Sequence, residues 1–307
     1  MRAKMLLATV VLAAASLSFA IPRVLGQAAK LDTAAIEQAT GLKGQLIADE
    51  NVFKVTKPRT DVKIQVDRWA MPPFMGLGSW AAFTPAHGGG HVMMMGDTVV
   101  FEDEVNPAMS AAFEAGLEVT ALHNHFFFDD PKVYFMHIGG TGEATKLAAG
   151  VKKVYDKIAE IRAANPAPLR AFSGNITSPS SITSAPLEAA LGVKGQANQG
   201  MFKIVIGRPA AMHGVSIGKE MGINTWAAFG GSDDAAVIDG DFAMLENELQ
   251  TVLRAMRKEG INIVAIHQHM SHEQPRYLFL HYWGKGKAAD LAQSLKRVLD
   301  AQAAVKS

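Results

Sequence analysis

The chain contains no cysteine. That excludes disulfides, thiolate metal ligands and the lipid-bearing cysteine of a bacterial lipoprotein, and leaves His, Asp, Glu and Met as the side chains able to hold a metal. Charge of one sign is also missing: 30 Lys and Arg stand against 29 Asp and Glu, a formal net charge of +1. With no basic stripe and no acidic run, nucleic acid is excluded as the expected partner. Hydrophobic residues at 49% and charged residues at 19% are those of a folded globular protein.

Long apolar runs are absent after the first 28 residues. Arg2 and Lys4 precede an apolar run from Met5 to Ala20, and small residues follow near Gly26 and Ala28. This pattern predicts a secretory signal peptide over residues 1–28, with no integral membrane span once it is removed and a periplasmic or secreted location. Its loss takes three positive charges (Arg2, Lys4, Arg23) and no negative ones, leaving the remainder near −2.

What the chain does have is an internal duplication. Residues 96–158 align without a gap on residues 240–302, with 20 of the 63 positions identical. The anchor passages are ALHNHFFFDDPKVYFMHIGGTG and AIHQHMSHEQPRYLFLHYWGKG; upstream, MGLGSWAAF matches MGINTWAAF and GLKGQ matches GVKGQ. Such self-similarity means one folding unit used twice. The units are expected at 29–163 and 183–307, joined by a Pro-, Ser- and Gly-rich linker at 164–182.

Each unit opens with a short helix, N-capped by Asp32 or Thr183 and stopped by Gly41 or Gly192. Strand-like runs follow at Val52–Val55 and Met201–Ile206, then the Trp80 and Trp226 segments, read as core strands. After Gly96-Asp97 and Gly240-Asp241 the chain is expected to turn helical. Leu249, Val252, Leu253 and Met256 recur at helical spacing before Gly260, as do Val105, Ala108, Met109 and Ala112 before Gly116. Alternation in Leu117–His125 and Ile261–His269 predicts strands in which Leu117, Val119, Ala121, His123 and His125 share one face. Second strands follow Pro131 and Pro275, and closing helices turn Leu147, Val151 and Val154, or Leu291, Leu295 and Val298, inward. This order, β-α-β-β-α at its close, predicts an α+β fold: an antiparallel sheet with helices on one face, ferredoxin-like, built twice. The alternative is a cupin-like β-barrel, suggested by H-x-H with an acid four residues on.

The histidines are the chemical signal. His123 and His125 fall on one strand face, and a hairpin centred on Pro131 would set His137 opposite His125; His267, His269 and His281 repeat the arrangement around Pro275. Three neutral imidazoles suit a divalent transition metal, zinc first, with copper, iron or manganese as alternatives when a carboxylate joins. Asp129 and Glu273 are the candidate carboxylate ligands. Glu102 and Glu246, with Glu104 and Glu248 beside them, sit where a helix begins; the first two are the candidate catalytic bases. His91-Val-Met-Met-Met has no counterpart in the second unit and reads as a buried strand. His87 and His91 flank a glycine loop able to form a lip on the first site.

At HNHFFFDDPKVYFMHIGG, with GDTVVFEDEVNPAM before it and SWAAF upstream, the sequence resembles the LppY/LpqO family of bacterial exported proteins, once per repeat. The resemblance implies export and a domain of unknown function, and supplies no reaction. Three functional expectations follow: a metal-dependent enzyme such as a hydrolase or lyase, a non-catalytic metal- or ligand-binding protein of the cell envelope, or a module whose histidines brace the two halves. The expected partner is a small molecule or an envelope component.

Overall fold

The computed structural model describes residues 31–86 and 90–306; the expected signal segment 1–28 and His87 lie outside the described residues. The first repeat runs α1 (Thr33–Thr40), β1 (Gly44–Ile47), β2 (Val52–Pro58), β3 (Gln65–Val66), β4 (Trp69–Ala70), β5 (Gly78–Pro85), β6 (Val92–Phe101), α2 (Glu102–Glu114), β7 (Glu118–His123), β8 (Asp129–Asp130), β9 (Val133–Gly142) and α3 (Ala144–Ala164). The second repeats it as α4 (Ser184–Leu191), β10 (Gln196–Asn198), β11 (Met201–Gly207), β12 (Ala210–Met212), β13 (Val215–Ile217), β14 (Asn224–Gly231), β15 (Ala236–Leu245), α5 (Leu249–Lys258), β16 (Asn262–His267), β17 (Glu273–Gln274), β18 (Tyr277–Gly286) and α6 (Ala288–Ala303). No described helix is long and apolar enough to cross a membrane.

Twelve strands form one sheet in the order β1-β2-β5-β6-β9-β7-β16-β18-β15-β14-β11-β10, a palindrome about the β7–β16 junction. In each half, β9 or β18 is inserted between the two strands that flank α2 or α5, which is the split β-α-β of a ferredoxin-like unit. The sheet is open, so the α+β expectation stands and the cupin-like barrel does not. All six described helices contribute to a single apolar core shared by both repeats, with Met136, Ile138, Leu280 and Tyr282 pointing into it from the central strands. The opposite sheet face carries two smaller cores. Loop residues Ile64 and Leu77 cover Val99, Phe101, Val133 and Phe135; Ile217 and Ile223 cover Ala243, Tyr277 and Phe279.

Three sequence expectations change. The chain does not turn helical after Gly96-Asp97 or Gly240-Asp241; β6 and β15 continue to Phe101 and Leu245. Those glycines sit inside the ladder, where a Cβ at Gly240 would come within 2.4 Å of the Trp226 carbonyl oxygen and one at Gly96 within 2.7 Å of that of Trp80. They permit close strand approach, not a turn. Second, Met93 and Met95 are exposed and only Met94 is buried, so the Met run is a one-sided strand. Third, Trp80 and Trp226 are half-exposed, each under a lysine ammonium (Lys54 at 4.4 Å, Lys203 at 4.0 Å).

At the junction β7 and β16 pair at a single position, Leu122 with Ile266. Beyond it the strand edges are satisfied by side-chain amides. Asn106 donates to the Ile263 carbonyl (3.1 Å) and accepts from its N–H (2.8 Å); Gln250 does the same for Val119 (2.7 and 3.2 Å). Asn106 and Gln250 are matching positions in the aligned repeats, so each repeat's helix closes the other's open strand edge.

Candidate metal centre

A β-bulge sets the geometry. Between Val119 and Ala121, and again between Ile263 and Ala265, the register shifts. The extra residue reverses the alternation. Val119 therefore enters the main core with Leu122, while Ala121 and His123 turn to the opposite face; the five residues expected on one face are divided. Pairing also differs from a hairpin centred on Pro131. His137 pairs with Ala121, and His123 with Phe135, so His125 lies beyond the ladder and stacks on Phe135 at 3.4 Å between ring centroids. His137 instead stacks on His123 at 5.1 Å. The second repeat has the same plan: His281 pairs with Ala265, His267 stacks on His281 at 4.6 Å, and His269 on Phe279 at 3.6 Å.

The carboxylate among these rings is Asp241, not Glu273. Asp241 pairs with His281 across the sheet as Asp97 does with His137, extending one row from Trp226 or Trp80. Asp241 Oδ2 stands 2.9 Å from His269 Nε2, and Asp241, His267 and His269 bring one ligand atom each within 4.8 Å of one another. Asp129 and Glu273 serve the turn before the next strand: Asp129 Oδ2 accepts from Val133 N–H at 2.6 Å, and Glu273 Oε1 from Tyr277 N–H at 3.1 Å. Four residues after the second histidine lies past the end of the ladder, where a carboxylate reaches backbone and not the imidazole row. The repeated Gly-Asp pair is visible in the sequence, but taken as a strand end it leaves out Asp97 and Asp241, which only cross-strand pairing sets beside His137 and His281.

Two buried atoms of this group have no hydrogen-bond partner among the described residues, Asp241 Oδ1 and His267 Nδ1. His269 adds a sharper signal. Its Nδ1 lies 3.0 Å from the Gly222 carbonyl oxygen while its Nε2 faces the Asp241 carboxylate. Both nitrogens thus meet acceptors, and a neutral imidazole has one N–H to give. A second proton or a cation must complete the set. His281 Nδ1 lies 3.2 Å from the Gly240 carbonyl, which leaves Nε2 as its free ligand atom. Burial lowers the pKa of His267 despite the opposing pull of Asp241, which favours the neutral ring a metal needs.

In the first repeat, Asp97, His123, His125 and His137 occupy matching positions, but no three ligand atoms converge in the same way among the described residues. His125 Nε2 is turned to His123 Nε2, 3.2 Å away. Burial lowers the pKa of both rings, with His137 and His125 adding to the effect at His123.

The glutamates divide by role. Glu104, fully buried, is held by Arg59 (2.6 Å) and Arg162 (2.7 Å), and accepts from Phe101 N–H at 2.9 Å; Glu248 repeats the arrangement with Arg208 and Leu245. Both are structural anchors. Glu102 lies instead in a cleft of about 460 Å³ at the junction, together with Asn106 and Tyr134 of its own repeat and Asp239, His281 and Trp283 of the other. Burial raises its pKa, with Lys132 opposing. Glu246 lines the pseudo-equivalent cleft, where Glu118, Gln250 and Arg276 are neighbours and no histidine is present.

A family model described as Domain of Unknown Function (DUF1259) matches residues 34–157 and again 185–301. No curated protein matches. Similar solved structures include two described as microcompartment shell proteins and one described as EtuB. EtuB from Clostridium kluyveri has 11% identity, covering 86% of this chain and 90% of that one, at a TM-score of 0.22. The trimeric shell protein PduB has 9% identity, 84% and 89% coverage, and a TM-score of 0.19. A double-ringed trimeric shell protein of the RMM microcompartment has 10%, 73% and 86%, and 0.17. At these TM-scores the likeness carries no argument about fold or function.

Proposed function

We propose that this chain, which belongs to the family described as Domain of Unknown Function (DUF1259) and carries its domain twice, binds a divalent transition metal, zinc first, through Asp241, His267 and His269, with His281 beside them. The observation that carries the reading is His269, both of whose ring nitrogens meet acceptors, the Asp241 carboxylate and the Gly222 carbonyl, next to the unpartnered Asp241 Oδ1 and His267 Nδ1. Unpaired buried polar atoms of this kind cost about 1–3 kcal/mol each, which a bound cation would offset. The signal-like start and the resemblance to LppY/LpqO proteins support a periplasmic or secreted setting, and the absence of cysteine excludes thiolate ligands there.

Three protein ligands leave one coordination position open, the arrangement of a hydrolytic or lyase centre, and a bound ion there supplies Lewis acidity and lowers the pKa of water. Glu102 is the carboxylate in the cleft that His281 lines, and serves as proton acceptor in this reading. A second reading is favoured by His281 itself, whose free Nε2 adjoins His267. As a fourth ligand it would close the site and make it a binding centre without turnover.

Elemental analysis of untagged, natively exported protein should find one metal ion per chain. His267→Ala and Asp241→Asn should lose it while remaining folded by circular dichroism, and His123→Ala should keep it. No stoichiometric metal after zinc addition, or retention by His267→Ala, overturns the reading. X-ray absorption then decides between three and four protein ligands.

A further inference from the structure

The junction cleft is chemically lopsided. Its walls are Tyr134 from the first repeat, Trp283 from the second and Phe172 from the connecting segment, and Glu102 and Asp239 open into it from opposite repeats. Neither carboxylate takes part in a salt bridge among the described residues, although Lys132 and Arg170 lie within electrostatic reach of Glu102, and His281 and Lys203 within that of Asp239. Phe172 is held over the cleft by Lys285, whose ammonium donates to the Phe172 and Gly174 carbonyls at 3.1 and 3.0 Å. Lys285 is thereby directed to backbone, and the nearby Arg257 to the Ile261 carbonyl and Asn262 Oδ1 (2.8 and 3.0 Å).

The pseudo-equivalent cleft shows what divergence has changed. There Leu278 stands for Tyr134 and Arg276 lines the wall, with no aromatic side chain. Position 139, matching Trp283, is a glycine. Duplication supplied two similar hollows; only one has acquired aromatic faces together with unpaired carboxylates. Aromatic faces and carboxylates together recognise a cation that also has an apolar surface, because the ring quadrupoles and the anions attract the same charge while the rings bury the alkyl groups.

We propose that the junction cleft binds an organic ammonium ion, its charge between Glu102 and Asp239 and its alkyl groups against Tyr134, Phe172 and Trp283. The cleft adjoins the Asp241–His267–His269 group through His281, so this inference deepens the metal-centre reading by naming a substrate class for it, yet the cleft does not need the metal to be formed.

Isothermal titration of the full chain with tetramethylammonium, beside its neutral isostere tert-butanol, tests this directly. Saturable binding is expected for the cation, roughly tenfold or more tighter than for the alcohol. Glu102→Gln and Tyr134→Leu, the latter installing the residue of the other repeat, should each weaken it by roughly tenfold with an unchanged melting curve. Glu246→Gln in the aromatic-free cleft should leave it unchanged. Equal binding of the alcohol, equal loss in Glu246→Gln, or no saturable binding of the cation overturns the proposal. The titration is run on chelator-treated protein and again after zinc addition, so loss of metal binding and loss of ammonium binding are read separately.

Discussion

In the first repeat His125 turns to His123; in the second the matching His269 turns to Asp241 and is fixed from behind by Gly222. The backbone plan is the same, so the difference arises from what surrounds it. Phe126, Phe127 and Phe128 follow the first histidine pair, where Met270, Ser271 and His272 follow the second. Phe127 and Phe128 are more than 80% exposed, and Phe74 on the neighbouring loop is 98% exposed, opposite Glu220 in the aligned second repeat. Beside the three phenylalanines the imidazoles face each other; beside Met270, Ser271 and His272, His269 faces a carboxylate. Ligand residues kept through duplication therefore do not by themselves keep a ligand geometry; the orienting atoms around them decide it.

The two repeats also anchor their helices differently, and this gives the largest expected effect. Arg59 and Glu104 are 6% and 0% exposed, against 23% and 9% for Arg208 and Glu248. Glu104→Ala removes contacts to two buried guanidiniums, but Arg59 keeps Asp61 and Arg162 keeps Asp103, so it should destabilise by about 3 kcal/mol, the low end for breaking a buried pair, in denaturant unfolding. Glu248→Ala, with its arginine free to reach water, should cost about 1.5–3 kcal/mol. Equal losses would show that burial does not separate the anchors.

Next in size is the junction. Asn106→Ala leaves the buried Ile263 N–H and carbonyl unpaired, and should cost about 2 kcal/mol by the usual penalty for orphaned backbone groups. Gln250→Ala exposes a strand edge that is only part-buried and should cost about 1 kcal/mol. Hydrogen exchange should show Ile263 protected in the wild type and released in Asn106→Ala; protection that persists would mean the amide is not what closes the edge.

These cases show where sequence reading works and where it stops. Helix faces such as Leu249, Val252, Leu253 and Met256 were legible because periodicity is local, and the duplication because identity needs no structure. That three histidines per repeat would gather was legible in outline. The bulges at Val119–Ala121 and Ile263–Ala265 were not: apolar alternation continues through them unbroken, and only the register with β9 and β18 shows the shift. Asp97 and Asp241 stayed hidden for the same reason, since a cross-strand neighbour is set by pairing across 40 residues of chain. The amide clamps of Asn106 and Gln250 reach over more than 130 residues and leave no local trace.

The helix caps give a smaller contrast. Asp32 and Thr183 read alike in sequence, yet Asp32 Oδ1 accepts from Ala35 N–H at 3.0 Å while the Thr183 side chain makes no capping bond. Asp32→Ala should cost about 1 kcal/mol. Thr183→Ala, which removes an exposed side-chain contact to Asp233 and no cap, should cost about 0.5 kcal/mol. Equal melting-temperature shifts would mean that the opening helices do not depend on this bond.

The smallest expected difference is in pH dependence of the metal-free protein. Burial lowers the pKa of His123 and His125 in the first repeat and of His267 in the second, where Asp241 pulls the other way. A lowered histidine pKa means that the unfolded chain takes up protons first, near its ordinary value of about 6.5. Stability is therefore full above that value and falls as pH drops through it toward the folded pKa, below which both states are protonated and the slope ends. All three rings are partly exposed, so water screens the effect and the slope should be shallow. Two shifted rings against one place most of the slope in the first repeat. Substituting His123 and His125 together by Gln should flatten the acid limb of the chelator-treated protein more than His267→Gln does. The reverse order would mean that Asp241 does not hold a proton on the second cluster, and that its carboxylate faces His269 only when a cation is bound.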